Sequence, residues 1–245
     1  GMYIQGPLRG YERVLREAPE REDVARKLVT LCIRMGRYGD ALIHAEKLLQ
    51  KRPADGVLVA QVAECQMAQN RFEEAMAYLQ QALALDGGDI LAHNNLGFAL
   101  SSLGRYAESI QHFQAVLRLD SNDTYALTNL GLAQSRLGQL PEAIDCYQRA
   151  LLLDPLDTYA RNNLGLVYLA QEDYDRALAA FSDALMHDSQ DPFSYNNRGL
   201  ALTSLSRLAE AESDFRSVLA LEPTDIYAHN NLGIVLARAG KLEEA

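Results

Sequence analysis

The string N-x-L-G, or a close variant of it, places glycines at Gly97, Gly131, Gly165, Gly199 and Gly233, each 34 residues after the last with no insertion or deletion. A fixed period of this length means a stack of supersecondary units, each too small to bury its own apolar face and each completed by its neighbours. Carried backward, the frame lands on Ala63 and Val29. It defines six full units, 22–55, 56–89, 90–123, 124–157, 158–191 and 192–225, and a partial seventh, 226–245. Gly1 ahead of Met2 reads as a cloning remnant. Residues 1–21 combine it with a partial helical unit, whose Tyr11, Val14 and Pro19 fit the closing part of a repeat.

Each unit reads as two helices. In 124–157 the first carries Leu127, Leu130, Gly131 and Gln134 on one stripe, a helical spacing, with Gln134 standing where other units have Leu100, Tyr168 and Leu202. Gly138 supplies a left-handed break. Pro141 falls in the first turn of the second helix, where its missing N–H costs nothing. Ala143, Tyr147, Ala150 and Leu151 form the second stripe, and Pro155 closes the unit.

A glycine inside a helix costs about 1 kcal/mol relative to alanine, so the recurring one needs a reason. Twelve residues after each such site stands Ala41, Ala75, Ser109, Ala143, Ala177, Ala211 or Ala245. The expectation is that small faces small and the two helix backbones approach closely. Leu49, Leu83, Leu117, Leu151, Leu185 and Leu219 recur late in the second helix, where they would seal each unit to the next.

The L-G, A, F/Y, A-L and P spacing on this period resembles the tetratricopeptide repeat, over nearly the whole chain. Val29 and Ala63 depart from it by replacing the glycine, Ala45 replaces the aromatic, and the closing Pro is missing from three units. The resemblance implies an all-α chain, a right-handed α-solenoid of antiparallel helix pairs whose first helices line a concave groove.

At about 100° per residue, unit positions 4, 7, 8 and 11 of the first helix point one way and positions 2, 5, 6, 9 and 13 the other. A face that merely met water would be charged. In the last five units it carries no charge until position 13, where Arg136 and Arg238 alternate with Ser102, Ala170 and Ser204. Position 2 reads Leu91, Tyr125, Tyr159, Phe193 and Tyr227; position 5 reads Asn94, Thr128, Asn162, Asn196 and Asn230. Position 6 is Asn95, Asn129, Asn163, Asn197 and Asn231; position 9 is Phe98, Leu132, Leu166, Leu200 and Ile234. Asparagine both donates and accepts, so a column of it can pair with a partner backbone without reading its side chains. The aromatic and aliphatic rows can bury the partner's apolar groups. The position-6 column is similar to the asparagine ladder of O-linked N-acetylglucosamine transferases, which implies a hold on a substrate polypeptide. Each asparagine also has a structural reading, hydrogen bonding within its own repeat. Position 2 is read as exposed, because the other positions already fill the core.

Other chemistry finds little support in the sequence. With 23 Lys+Arg against 33 Asp+Glu the net charge is −10, and no segment hides a basic cluster, so nucleic acid is not expected as a partner. Three cysteines, Cys32, Cys65 and Cys146, are odd in number and far apart, which argues against a disulfide framework and for a reducing compartment. His44, His93, His112, His187 and His229 show no metal-ligand spacing, so neither metal nor cofactor is expected. Acidic pairs such as Asp173/Asp175 and Glu243/Glu244 suit helix starts. No nucleotide, protease or hydrolase motif appears, and no catalytic residue is assigned. Without a signal peptide or membrane span in the sequence, the expected location is cytoplasmic.

The functional expectation is a scaffold that binds an extended or helical peptide of a protein partner in the groove of units 90–245. The alternative is the substrate-recognition arm of a larger, glycosyltransferase-like enzyme whose catalytic domain lies elsewhere; the partial units at both ends favour a fragment. A chaperone-tail clamp fits poorly, since position 5 lacks lysine and position 9 is apolar. The first two units depart from the groove pattern with Asp23, Arg26, Lys27 and Thr30, then Val57, Ala60, Gln61 and Glu64, which reads as either a second, more polar site or a solvated end. Self-association is expected through the half-unit at the C-terminus, where Leu232, Leu236 and Leu242 lack a full partner helix.

Overall fold

The computed structural model describes residues 5–241, the side chain of Gln5 excepted, and among them the regular structure is α-helix alone. The chain forms two compact units, Gly1–Ser121 and Asn122–Ala245. The first holds α1 (Gln5–Glu17), α2 (Glu22–Arg34), α3 (Tyr38–Lys51), α4 (Gly56–Ala68), α5 (Phe72–Leu85), α6 (Ile90–Ser102) and α7 (Tyr106–Leu119). The second holds α8 (Thr124–Arg136), α9 (Leu140–Leu153), α10 (Thr158–Ala170), α11 (Tyr174–His187), α12 (Pro192–Ser204), α13 (Leu208–Leu221) and α14 (Ile226–Arg238). Leu242, Glu243, Glu244 and Ala245 lie outside the described residues.

Local chemistry sets both helix ends. From α4 onward every first helix starts behind an aspartate, Asp55, Asp89, Asp123, Asp157, Asp191 or Asp225. Its carboxylate accepts the N–H three residues on, at 2.6–3.2 Å. That satisfies one of the four backbone donors a helix start leaves open, and negative charge suits that end of the dipole. Each first helix then stops at one left-handed residue at unit position 15. Gly36, Gly104, Gly138 and Gly240 occupy it without strain, while Asn70, Glu172 and Ser206 adopt it at φ 57–59°.

Within each unit the apolar stripes meet where the sequence places them. Leu127, Leu130, Gly131 and Gln134 of α8 are buried against Ala143, Tyr147 and Ala150 of α9. Pro141 lies in the first turn of α9. The glycine reading needs correction. Ala143, Ala177 and Ala211 are fully buried, but what crosses closest to each glycine is an aromatic ring sixteen residues on. A Cβ at Gly97, Gly131, Gly165 or Gly199 would stand 2.8, 2.9, 2.6 or 2.8 Å from Phe113, Tyr147, Phe181 or Phe215. The glycine makes room for a ring, and the departures in the early units obey the same volume rule. Val29 is matched at that distance in sequence by Ala45, and Ala63 by Leu79, all four buried. The sum of the two side chains is roughly conserved while their sizes trade places.

At the C-terminal end α14 packs on α13. Val235 is buried with Leu202, Ala211 and Phe215, Leu232 packs against them, and Leu236 is buried too. Two of the three leucines expected to lack a partner are therefore at least partly covered, and Leu242 is outside the described residues.

Candidate interaction surface

In the second unit, α8, α10 and α12 each touch the next first helix as well as their own partner helix, and α14 touches α12 and α13. Among the described residues, α9, α11 and α13 make no comparable contacts with one another. First helices that crowd together form the inner side of the stack. Their positions 2 and 9 face out of it. Tyr125, Tyr159, Phe193 and Tyr227 are 46, 54, 48 and 76% exposed, a large fraction for aromatic side chains. Leu200 and Ile234 are exposed beside them, and Leu132 and Leu166 are half-buried. Burial and the nearby Asp123 carboxylate push the Tyr125 phenol above its ordinary pKa, so at neutral pH it remains a neutral donor.

The amide positions sit deeper than this rim. Asn129, Asn163 and Asn197 are at most 9% exposed. Asn129 and Asn163 donate Nδ2 to the carbonyls of Tyr125 and Tyr159 on their own helices, at 2.9 and 2.8 Å. Asn231 donates to Oδ1 of Asn196 at 3.1 Å, joining α14 to α12. Among the described residues nothing pairs with Asn197 Nδ2. Asn196 is half-buried and Asn230 exposed. At two junctions of the second unit position 5 ties a repeat to the cap of the next: Asn162 donates to Asp191 Oδ2 at 2.9 Å and accepts from Ser194 Oγ at 2.7 Å, and Thr128 reaches Asp157 Oδ2 at 3.4 Å. The two amide rows therefore build the floor and hold the first helices in register, while the aromatic and aliphatic rows make the exposed surface.

In the first unit the same positions fall on α6. Leu91 and Phe98 are exposed, Phe98 meeting the ring of Phe72 edge-on at 6.0 Å between centroids. Asn94 is buried and Asn95 half-buried.

Three features escaped the sequence reading. The aspartate at every unit boundary from Asp55 on was legible, but only the structure shows which side chain meets it. His93 and His112 face each other with Nδ1 atoms 3.0 Å apart. The Gly87 carbonyl lies 3.3 Å from His93 Nε2, so the Nε2–H of His93 donates there, its Nδ1 accepts, and His112 Nδ1–H is the donor between the rings. Burial first, then His93, lowers the His112 pKa. Arg198 takes the core position held by leucine in the neighbouring units; its guanidinium makes two bonds to Asp214, at 2.8 and 2.7 Å, and Asp214 is buried.

The cysteines are buried and free, and burial pushes Cys65 up to about 12 and Cys146 to about 11, away from thiolate chemistry. Among the described residues no group of three or more His, Cys, Asp or Glu is arranged to hold a metal, and no helix is long and apolar enough to cross a membrane.

Comparison with known proteins accounts for this geometry. Models of the tetratricopeptide repeat match residues 33–97, 89–154, 128–195 and 196–245. The chain belongs to the tetratricopeptide repeat family. Solved structures of similar fold include PilW, a type IV pilus biogenesis factor (20% identity, 86% of this chain, 98% of PilW, TM-score 0.76). Another is YrrB, described as a tetratricopeptide repeat protein with an unusual peptide-binding site (22% identity, 76% of this chain, 96% of YrrB, TM-score 0.61). A third is in the Cut9–Hcn1 complex of the anaphase-promoting complex (20% identity, 95% of this chain, TM-score 0.72), where this tetratricopeptide repeat chain spans 46% of the chain it matches. A search of curated protein sequences gave no significant match. The fold is that of a protein-interaction module.

Proposed function

We propose that the second unit binds an extended peptide segment of a partner protein along the inner side of α8, α10, α12 and α14. The observation that carries this is the uncharged, aromatic inner surface: Tyr125, Tyr159, Phe193 and Tyr227 stand half-exposed or more where a face meeting only water would be charged. Tyrosine and phenylalanine on a rigid helical floor supply large contact area with little side-chain entropy to lose.

The roles follow from depth. The four rings and Leu132, Leu166, Leu200 and Ile234 bury the partner's apolar side chains. Asn129, Asn163, Asn197, Asn162 and Asn196, with Asn230 and Asn231 at the end, form the polar floor. Asn129 and Asn163 have spent one donor each on their own helix and offer Oδ1 to a peptide N–H. Covering about 100 Å² on each ring gives roughly 2.5 kcal/mol per ring at ~25 cal/mol per Å². Four rings give about 10 kcal/mol gross, from which ordering the peptide takes a large share, so the affinity is of micromolar class. That YrrB is described with a peptide-binding site supports the same class of ligand.

The test is selection from a peptide library by the purified chain, beside a Tyr159→Ser/Phe193→Ser variant of unchanged helicity. The account expects apolar-rich peptides that the variant binds at least about tenfold more weakly. Equal binding by both proteins overturns it.

A further inference from the structure

The capping aspartates expose a gap in the first unit. At three junctions position 5 of the preceding repeat donates to Oδ2 of the cap: Arg26 sits on Asp55 Oδ2 at 2.5 Å, Thr128 on Asp157 Oδ2 at 3.4 Å and Asn162 on Asp191 Oδ2 at 2.9 Å, an oxygen that there also accepts the Ser194 N–H. At the junction of α4 with α6, position 5 is Ala60, whose methyl donates nothing. Asp89 Oδ1 accepts the Ala92 N–H at 2.9 Å, and among the described residues no donor reaches Oδ2.

The missing side chain leaves a cleft of about 620 Å³ between α4 and α6, lined by Val57, Ala60, Glu64, Asp89, Leu91 and Asn95. That volume lies within the range of ligand-sized pockets. Its rim is apolar, Val57 and Leu91 each being 65% exposed. Its acidic groups are not neutralised from within: among the described residues neither Asp89 nor Glu64 has an ion-pair partner. Gln61, the one long amide on this wall, is turned to Thr30 Oγ1 at 3.2 Å.

We propose that this cleft takes an arginine side chain of a partner polypeptide, its guanidinium on Asp89 Oδ2 and its stem between Val57 and Leu91. The chain supplies the template itself, since one repeat earlier its own Arg26 makes that contact on the equivalent aspartate. The positive end of α6 opposes a cation here, but the start of α4 opposes Arg26 equally, and the pair forms there. Arginine suits the site better than lysine because its planar fork matches a carboxylate and its head is less strongly hydrated. The net charge of −10 favours approach of a basic segment. This site belongs to the first unit and shares no residue with the aromatic surface of the second, so it stands or falls independently of it.

The test is a two-dimensional ¹⁵N–¹H NMR titration of the full chain with N-acetyl-arginine methylamide, beside its neutral isostere N-acetyl-citrulline methylamide. Two variants accompany it. Asp89→Asn removes the charge but keeps an equally good helix cap; Ala60→Arg installs the side chain that Arg26 provides one repeat earlier. The expected result is saturable shifts of the 89–92 and 57–64 amides with the arginine compound, with affinity about tenfold lower for citrulline and for Asp89→Asn. Ala60→Arg should abolish the shifts and raise the melting temperature. No saturable shift with arginine, equal response to citrulline, or binding that survives Ala60→Arg would each overturn the assignment.

Discussion

Replacing Gly165 by alanine puts a methyl 2.6 Å from Cε1 and 2.7 Å from Cζ of Phe181. Carbon atoms rest about 3.5–4.0 Å apart, so the ring must retreat by about 1 Å. Phe181 is fully buried, as are Ala177 and Ala184 around it, which leaves it little room. Overpacking of this kind costs about 1–3 kcal/mol, here at the upper end, while alanine returns about 1 kcal/mol of helix propensity. The net is about 2 kcal/mol of destabilisation, a drop in melting temperature of roughly 4–8 °C followed by far-UV circular dichroism. The effect should be smaller for Gly131→Ala, whose nearest ring atom is at 2.9 Å. Pairing Gly165→Ala with Phe181→Leu recreates the combination found at Ala63 and Leu79, and the double variant should recover at least about 1 kcal/mol relative to the sum of the single changes. A melting temperature that rises with Gly165→Ala, or additive single and double variants, would refute the volume rule.

Two further perturbations follow from the buried polar groups. Arg198→Leu restores the repeat pattern but strands the buried Asp214 carboxylate, and should cost about 3 kcal/mol in a denaturant titration, whereas Arg198→Leu/Asp214→Ala should return to within about 1 kcal/mol of the parent. His112 has its pKa lowered by burial and by His93, against an opposing Glu108, so the unfolded chain takes up its proton first as pH falls. Stability should therefore fall from about pH 7.5 towards the folded pKa and level off below it, and His112→Gln should flatten that slope in thermal melts.

The periodicity made most of the fold legible. Leu127, Leu130, Tyr147 and Ala150 could be assigned to the core from spacing alone, because a helix repeats its faces at a fixed angle whatever surrounds it. The exposure of Tyr125, Tyr159, Phe193 and Tyr227 followed by subtraction, since the core positions were already filled. The glycine partner was misread because a small residue twelve positions on and a ring sixteen positions on both recur with the same period; only the crossing geometry decides between them. The amides were harder still. Nothing in the sequence separates Asn129, which turns back on the Tyr125 carbonyl, from Asn162, which reaches Asp191 in the next repeat. Likewise the vacancy at Ala60 has meaning only once Arg26, Thr128 and Asn162 are seen on the neighbouring caps.

The most direct test of the inner surface is amide hydrogen exchange of the chain with and without a peptide selected from the library. The account predicts added protection on α8, α10 and α12, centred on the turns that carry Tyr125, Tyr159 and Phe193, with α9, α11 and α13 unchanged. Protection centred on the second helices instead would contradict it.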